Sequence, residues 1–326
     1  MSRVVVFDET GAPEVLRLVD EPAAEPAPGQ VRLRIEAIGV NRLDQMMRAG
    51  SSPRPISLPH ARLGIEATGT IDAVGAGVQA LRPGDPVIIT AVPDMDTNGT
   101  YAESIVLPAE RVIPRPGDLD PVAAAALWVG HSTAYGALID TAGMRPGDSV
   151  LITAASSSVG LAAIQIANQI GAMPIAVTRS GPKRERLLAA GGAAVIATDS
   201  DDLVATAQAL TDGAGVDIII DSVMGPGLAE LASAARPGGT LVAVGWLDPR
   251  PASFPMNAPF TIHRYVGFAH ILDPLVVRRI SAFLTAGIRS GVTAPIIDST
   301  FSLDHVVDAH RHLEDGQQVG KIVLTV

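Results

Sequence analysis

The order of apolar and polar positions changes character near residue 120. Before it, short runs rich in Val and Ile are separated by Gly and Pro. The segment VRLRIEAIGV (31–40) alternates apolar and charged residues, which is typical of a strand with one buried face. The segments GIEATGTIDAVGAGV and GDPVIITAV predict further strands broken by glycine turns. The first 120 residues therefore predict a mainly β region.

After this region the pattern predicts alternating helices and strands. The alanine-rich segment 120–143 predicts a helix with Asp120 as N-cap and Pro121 as its first residue. Strands are predicted at SVLITA, MPIAVT, AAVIAT, VDIIIDSV and GTLVAVG, and YVGFAHI is a candidate for a sixth. Helical segments separate these runs, and this alternation indicates a parallel, doubly wound α/β sheet. Two more helices and a closing strand, KIVLTV, are predicted at the end.

Composition excludes several classes of protein. A formal net charge of −10 disfavours nucleic acid or an anionic membrane as the main partner. The chain has no cysteine, so disulfides, thiolate metal sites and cysteine nucleophiles are impossible. No apolar run approaches the roughly 18 residues of a membrane span. The start MSRVVVFDETG predicts a first strand, not a secretory leader. We expect a cytoplasmic protein with two domains.

A candidate dinucleotide site lies in VLITAASSSVGLAAIQIANQIGA (150–172), which predicts a strand, a tight turn and a helix. The frame G-x-G-x-x-G falls on Ala155, Ser157 and Gly160, so only its third glycine is kept. Ser157 would crowd a phosphate, donate a hydrogen bond to it, or cap the helix. The predicted phosphate-binding turn consists of Ser156, Ser157, Ser158, Val159 and Gly160.

The next predicted strand ends in Thr178-Arg179-Ser180, and Lys183 follows. Sites for NAD carry an acid here that binds the ribose 2′-hydroxyl, and this segment has none. A guanidinium with neighbouring Ser and Lys side chains suits a 2′-phosphate instead. The sequence therefore predicts NADPH as the cofactor. The alternative is a solvated basic start of a helix.

Four further segments carry a family resemblance. They are NRLDQMMRAG (41–50), GIEATGTIDAVGAGVQALRPGDPV (64–87), GTYAESIVLP (99–108) and GKIVLTV (320–326). Together they resemble the zinc-independent quinone oxidoreductases of the medium-chain dehydrogenase/reductase superfamily. The resemblance implies a GroES-like β domain at 1–122, completed by 270–326, with a Rossmann domain inserted at 123–269. It also implies an active cleft between the domains, and sheets that pair edge to edge in a homodimer.

The resemblance also implies residue roles. Asn41 and Asp44 would lie near the nicotinamide, and Thr133 would lie beside its amide. Lys321 would lie near the cofactor at the domain seam. Asp44 could instead only cap a short helix, and Lys321 could be a surface charge. The nicotinamide ring and its ribose would be flanked by Ser222, Val223, Gly245 and Trp246.

No metal is expected. In zinc-dependent relatives the catalytic ligands are Cys, His and Cys, and these positions correspond to Asn41, Ile65 and a residue near Val129. None of these side chains can bind zinc as a thiolate or an imidazole. His305, Asp308 and His312 share a helix face, so a metal is conceivable. We interpret the segment instead as an amphipathic helix whose Val306, Ala309 and Leu313 point inward and whose histidines, His305, His310 and His312, lie in solvent. His131 adjoins Thr133, and we expect it to be a buried, hydrogen-bonded histidine.

The expected activity is hydride transfer from NADPH to a quinone or an α,β-unsaturated carbonyl compound. Positions where quinone reductases often carry aromatic residues are Met46 and Ser52. Enoyl thioester reductases place a proton-donating Tyr near Ser52, so that activity is the second choice. A low-turnover cofactor-binding or redox-sensing protein is a further alternative. A hydrolase using Ser132 in GHSTA is disfavoured because a helix, not a strand, precedes it.

Overall fold

The chain folds into two compact units. The computed structural model describes residues 1–52, 54–117, 119–256 and 260–326. The first unit consists of Met1–Val129 with Pro295–Val326, and the second of Gly130–Ala294. The domain limits inferred from the resemblance stay a prediction. Among the described residues, no helix is both long enough and apolar enough to cross a bilayer.

Sixteen strands are present in the described residues. In chain order they are β1 (Ser2–Phe7), β2 (Arg17–Glu21), β3 (Gln30–Gly39), β4 (Ala61–Arg62), β5 (Ala67–Val74), β6 (Pro86–Ile89), β7 (Ser104–Pro108), β8 (Val112–Pro114), β9 (Ser149–Ile152), β10 (Met173–Thr178), β11 (Ala194–Ala197), β12 (Val216–Asp221), β13 (Ala235–Ala243), β14 (Thr261–Arg264), β15 (Ile297–Ser302) and β16 (Lys321–Thr325).

The helices account for most of the remaining regular structure. In chain order they are α1 (Arg42–Arg48), α2 (Met95–Asn98), α3 (Pro121–Ala125), α4 (Trp128–Tyr135), α5 (Ser158–Ile170), α6 (Arg184–Ala189), α7 (Leu203–Ala209), α8 (Leu228–Ser233), α9 (Gly267–His270), α10 (Pro274–Ser290) and α11 (Val306–Asp315). A π-helical turn (Gly136–Thr141) follows α4 directly.

The first unit is built on mainly antiparallel sheets, in which β15 and β16 are the parallel pair. Its larger sheet has the order β15-β16-β3-β5-β6-β8, and β7 also pairs with β3. Along β3 the side chains of Val31, Leu33 and Ile35 are buried, while Arg32 and Arg34 point outward. The alternation seen in the sequence is therefore confirmed. The closing strand β16 pairs antiparallel with β3, which joins the last residues of the chain to its first hundred.

The second unit is a six-stranded parallel sheet in the order β11-β10-β9-β12-β13-β14. Central strands are buried on both faces, as a doubly wound sheet requires, with Leu151, Ile175 and Ile219 fully inaccessible.

In the first unit, Asp120 caps α3 as predicted, because its Oδ1 accepts a hydrogen bond from the Ala123 amide at 2.8 Å.

The sixth strand corrects one prediction. YVGFAHI is not a strand: β14 lies just before it, and Gly267–His270 form α9. The pairing partner explains the difference. β13 ends at Ala243, which pairs with Arg264, so residues beyond Tyr265 have no neighbouring strand to bond.

Gly160 is required by the approach of α5 to the preceding turn. A Cβ at this position would lie 2.6 Å from the Ala155 Cα and 2.7 Å from its carbonyl oxygen. Both neighbours are backbone atoms, so neither can move aside as a flexible side chain would. The retained glycine therefore serves close packing, as the motif predicts.

Replacing Gly160 with Ala should lower the free energy of unfolding by about 1–3 kcal/mol, the usual cost of overpacking. Urea denaturation followed by circular dichroism measures this. Gly227→Ala is the matched control, because a Cβ there meets nothing within 4 Å. Equal stability of the two variants would contradict the packing role of Gly160.

Candidate functional site

Residues predicted to bind a dinucleotide converge on one edge of the parallel sheet. The serine turn follows β9, Arg179 follows β10, Ser222 follows β12, and Gly245 follows β13 by one residue more. The strand order runs outward from β9 through β10 to β11, and the chain then crosses over to β12 on the other side of β9. Ligands of doubly wound sheets bind at such a switch point, outside the carboxyl ends of the strands.

The serine turn uses its side chains in two different ways. Ser157 is the N-cap of α5, and its Oγ accepts a hydrogen bond from the Gly160 amide at 3.1 Å. Ser156 Oγ accepts from the Lys183 Nζ at 3.2 Å. Of the three roles considered for Ser157, capping is the one that the structure contains. Lys183 is held beside the turn by a residue of the turn itself.

The adenosine end of the predicted site is basic. Arg179 is exposed and forms no ion pair with any residue that the structure describes. Thr178 Oγ1 accepts from the Ser180 amide at 3.3 Å, which shapes the bend after β10. A carboxylate that the sequence pattern did not indicate, Asp199, accepts from the Gly181 amide at 2.9 Å. It follows β11 rather than β10, so only the pairing of these strands brings it near.

A buried carboxylate organises the loop that carries Ser222 and Val223. Asp221 is fully buried, and it accepts hydrogen bonds from Thr153 Oγ1 at 2.7 Å and from the Val223 amide at 2.9 Å. Thr153 Oγ1 in turn accepts from the Ser222 amide at 2.9 Å. This network fixes the loop after β12 to the end of β9.

Gly245 lies against the same loop. A Cβ on it would lie 2.7 Å from the Ser222 carbonyl oxygen, so only glycine allows this approach. Trp246 beside it keeps 45% of its surface exposed. The structure thus brings Ser222, Val223, Gly245 and Trp246 together at neighbouring strand ends.

Helix α4 carries the remaining predicted residue of this unit. Thr133 is half-buried. His131 is buried and its Nε2 lies 3.2 Å from Gln165 Oε1, as expected. Ser132 is buried in the middle of α4 rather than exposed on a turn between a strand and a helix, so the hydrolase alternative has no support.

The first unit buries an ion pair next to Asn41. Lys321 and Glu66, 2% and 1% exposed, form a salt bridge. Lys321 Nζ also donates to Asn41 Oδ1 at 2.7 Å, and Asn41 Nδ2 donates to Glu66 Oε1 at 3.1 Å. The second oxygen of Glu66 accepts from the Val129 amide at 2.8 Å. Lys321 is therefore not a surface charge, and that alternative is wrong.

Gly39 makes room for the ion pair. A Cβ at this residue would lie 2.6 Å from Glu66 Oε1 and 2.7 Å from Lys321 Cε. Gly39 is the last residue of β3. A side chain there has no space, because Lys321 at the start of β16 and Glu66 just before β5 occupy it. The sequence alone gave no sign of this requirement.

Asp44 supports Asn41 from inside the unit. Its carboxylate is fully buried and accepts from the Asn41 amide at 2.8 Å, the Gly64 amide at 3.1 Å and the Tyr101 hydroxyl at 3.2 Å. Burial raises the pKa of Asp44 to about 7. The bond to the Asn41 amide at the start of α1 is the capping role left open above, and the placement of Asp44 near the nicotinamide stays a prediction.

His310 corrects the interpretation of α11. Val306, Ala309 and Leu313 are buried as predicted, but His310 is fully buried too, and its Nε2 lies 3.3 Å from the Tyr101 hydroxyl. Burial, and next the charge of Arg48, lower the pKa of His310 to about 3. His305 is exposed. Among described residues, no three His, Cys, Asp or Glu side chains are grouped to hold a metal.

Comparison with known proteins agrees with both units. Residues 27–117 match the alcohol dehydrogenase GroES-like domain, and residues 158–272 match the family model described as zinc-binding dehydrogenase. The chain is 31% identical to a quinone oxidoreductase of Lama guanicoe, over 99% of this chain and 97% of that protein. The chain belongs to the quinone oxidoreductase family. The α/β fold with a GroES-like domain and a Rossmann domain is thereby confirmed.

Two further relatives of this family member extend the comparison. It is 30% identical to a 2-haloacrylate reductase of a Burkholderia species, over 99% of each chain. The crystal structure of Escherichia coli quinone oxidoreductase complexed with NADPH matches it with a TM-score of 0.92 and 27% identity, over 100% of both chains. The resemblance to quinone oxidoreductases that the four sequence segments carry is confirmed.

Replacing Lys321 with Met should leave Glu66 as an unpaired buried carboxylate in this quinone oxidoreductase relative. The expected loss in the free energy of unfolding is about 3–5 kcal/mol, measured by urea denaturation. The double variant Glu66→Gln/Lys321→Met removes both charges and should recover most of that loss. A single variant as stable as the double variant would show that the pair is not buried as described.

His310→Asn should flatten the acid limb of the stability profile. The pKa of His310 is lowered in the folded state, so its contribution is complete above pH 6.5 and is lost as pH falls toward 3. Between pH 6 and 4, the slope of unfolding free energy against pH should decrease by up to about 1.4 kcal/mol per unit. Denaturant titrations across that range measure it.

The raised pKa of Asp44 acts in the opposite direction, because its contribution is lost as pH rises toward 7. It is present in both proteins and cancels in the difference. His305→Asn, an exposed position just before the same helix, is the matched control. It loses a solvent-exposed contact with Asp308, so it should change the slope much less than His310→Asn does. An unchanged slope in His310→Asn would contradict the buried, neutral histidine.

Proposed function

We propose that the protein is an NADPH-dependent oxidoreductase that transfers hydride to a quinone or an α,β-unsaturated carbonyl compound without zinc. The observation that carries the cofactor assignment is the basic pair at the sheet edge, Arg179 without an ion pair among the described residues and Lys183 on Ser156. A dianionic 2′-phosphate is the ligand that such a pair suits. The Escherichia coli relative crystallised with NADPH supports the same assignment.

The residues present do not fit a catalytic zinc ion. A catalytic zinc site needs three protein ligands, and the matching positions here are Asn41, Ile65 and Val129. Two carboxylates lie nearby. Glu66 is paired with the ammonium group of Lys321, and Asp44 already accepts hydrogen bonds from two backbone amides and a tyrosine hydroxyl. A divalent cation placed there would meet this fixed positive charge. No step of the proposed reaction therefore passes through a metal.

The chain's own groups bind and orient the reactants. The amides at the start of α5 and the side chain of Ser156 would face the pyrophosphate. Ser222, Val223, Gly245, Trp246 and Thr133 would surround the nicotinamide half. When bound, NADPH supplies the hydride. Asn41 is held through its backbone amide by Asp44 and through its side chain by Lys321 and Glu66. Its place near the nicotinamide is the role that the family resemblance implies.

The acceptor class follows from the relatives and from position 52. The 2-haloacrylate reductase relative acts, by its name, on an electron-poor alkene, which supports an activated double bond as acceptor. An enoyl thioester remains the second choice, because Ser52 replaces the proton-donating Tyr. The capping bond of Ser157 occupies one amide at the start of α5, which favours a low-turnover cofactor-binding protein as a third candidate. A homodimer and a cytoplasmic location stay predictions.

The test combines binding and turnover. Titration calorimetry should show NADPH binding more tightly than NADH, and NADPH absorbance should fall with enones or quinones. Arg179→Ala should weaken NADPH binding about 10- to 100-fold, because a charge-assisted hydrogen bond contributes about 1.5–3 kcal/mol. NADH binding should stay within twofold.

Arg145→Ala is the matched control, since Arg145 lies in the turn before β9, at the opposite edge of the same sheet. It removes the same charge and should leave both affinities unchanged. An equal loss of NADPH affinity in both variants would show that the change in net charge causes the loss, and it would contradict a direct contact between Arg179 and the 2′-phosphate. Binding without turnover on any acceptor would favour the low-turnover candidate.

A further inference from the structure

A tyrosine, a histidine and an aspartate form a continuous hydrogen-bonded chain in the second unit. The Tyr265 hydroxyl lies 2.9 Å from His270 Nδ1, and His270 Nε2 lies 3.1 Å from Asp140 Oδ2. Arg279 also reaches Asp140, at 3.4 Å. Both ring nitrogens of His270 are therefore engaged, one by a phenol and the other by a carboxylate.

The tyrosine end of this hydrogen-bonded chain lies at the edge of the sheet where the predicted dinucleotide-binding residues converge. Tyr265 directly follows β14, and its amide donates to the Ala243 carbonyl at the end of β13. A Cβ on Gly267 would lie 3.3 Å from the Tyr265 ring and 3.7 Å from Thr133 Oγ1, so both side chains lie close to Gly267. Thr133 is the residue assigned to the nicotinamide amide, which places the phenol next to the reacting half of the cofactor.

The glycine at position 136 gives the phenol its place. A Cβ on Gly136 would collide with the Tyr265 hydroxyl and lie 2.7 Å from His270 Nδ1. Tyr265 is 7% exposed, while the side chain of His270 is 22% exposed. The buried end of this hydrogen-bonded chain is thus the Tyr265 hydroxyl. His270 is exposed enough to exchange protons with water.

We propose that Tyr265, His270 and Asp140 form a proton relay that protonates the carbon next to the carbonyl group after hydride transfer. This inference rests on the proposed function. Hydride addition to the β-carbon of an enone breaks the C=C π bond and leaves an enolate, which needs one proton at its α-carbon. No tyrosine at position 52 supplies it.

The relay balances in protons and charge. The O–H bond of Tyr265 breaks and a C–H bond forms at the α-carbon. The phenolate oxygen takes the proton from Nδ1 of the His270 imidazolium, which Asp140 stabilises and orients, as a carboxylate does for a catalytic histidine. His270 is left neutral and takes up a proton from water. Burial raises the pKa of Tyr265, which keeps the phenol protonated between turnovers.

The experiment compares two acceptors in D₂O, a 2-methyl-substituted enone and a quinone, with wild type and Tyr265→Phe. The wild type should give one configuration at the deuterated α-carbon. In the variant, kcat for the enone should fall about 100-fold or more. The configuration should be lost, and the NADPH affinity should stay within twofold. Quinone reduction should be nearly unchanged, because hydroquinone oxygens take protons directly from water.

Tyr135→Phe is the matched control, because Tyr135 is equally buried at 7% exposure in the same unit. It should leave both activities and the configuration unchanged. Equal losses for enone and quinone in Tyr265→Phe would indicate a structural role and overturn the relay. So would a racemic α-carbon from the wild type, or quinone reduction without enone reduction. Absence of turnover with every acceptor contradicts the proposed function, and the relay falls with it.

Discussion

The buried pair of Lys321 and Glu66 is the constraint on which the first unit depends. A charge transferred from water into a protein costs several kcal/mol unless a partner and hydrogen bonds compensate for it. Here compensation comes from Asn41, from the Val129 amide and from the space left by Gly39. Lys321 is the first residue of β16, so the pair forms only when the closing strand is correctly paired with β3. The same pair places a fixed cation beside the positions that hold zinc ligands in zinc-dependent relatives.

In the second unit the order of parallel strands assembles the site. Residues from four separate segments meet because the strands that precede them end at one edge of the sheet. Sheet order alone does not orient the loops. Asp221 does this for the loop after β12 by accepting hydrogen bonds from Thr153 and two loop amides. The close approach of Gly245 to Ser222 then joins the loops after β12 and β13. Removing either contact would leave the strands in place but would free the loops that carry the predicted binding residues.

The sequence predicted what depends on local periodicity and on motif position. Strands β3, β9 and β10 were recovered from their apolar runs, and the N-cap at Asp120 from its place before Pro121. It missed what depends on tertiary pairing. YVGFAHI has the composition of a strand, but β13 ends before it could pair. In the sequence His310 and Asp44 look like ordinary polar residues of helices. In the structure both are buried, and both contact the Tyr101 hydroxyl. Asp199 binds the Gly181 amide from the end of another strand, and Asp140 is far in sequence from the Tyr265–His270 pair that it contacts, so no local pattern indicates these contacts.

The serine turn is a degenerate form of the glycine-rich motif, and its side chains change how a phosphate would be bound there. A glycine-rich turn leaves the amides at a helix start free for phosphate, whereas Ser157 occupies the Gly160 amide as its own cap. The cap stabilises α5 without a ligand, by about 0.5–2 kcal/mol in typical cases. It also reduces the number of amides that a pyrophosphate can use. Lys183, held at 3.2 Å from Ser156 Oγ, supplies a positive charge at the same turn. The ammonium group of a lysine can attract a phosphate without the close approach of the backbone that an amide hydrogen bond needs. A side chain at position 157 is therefore compatible with phosphate binding if Lys183 contributes the attraction that the glycine turn would otherwise give.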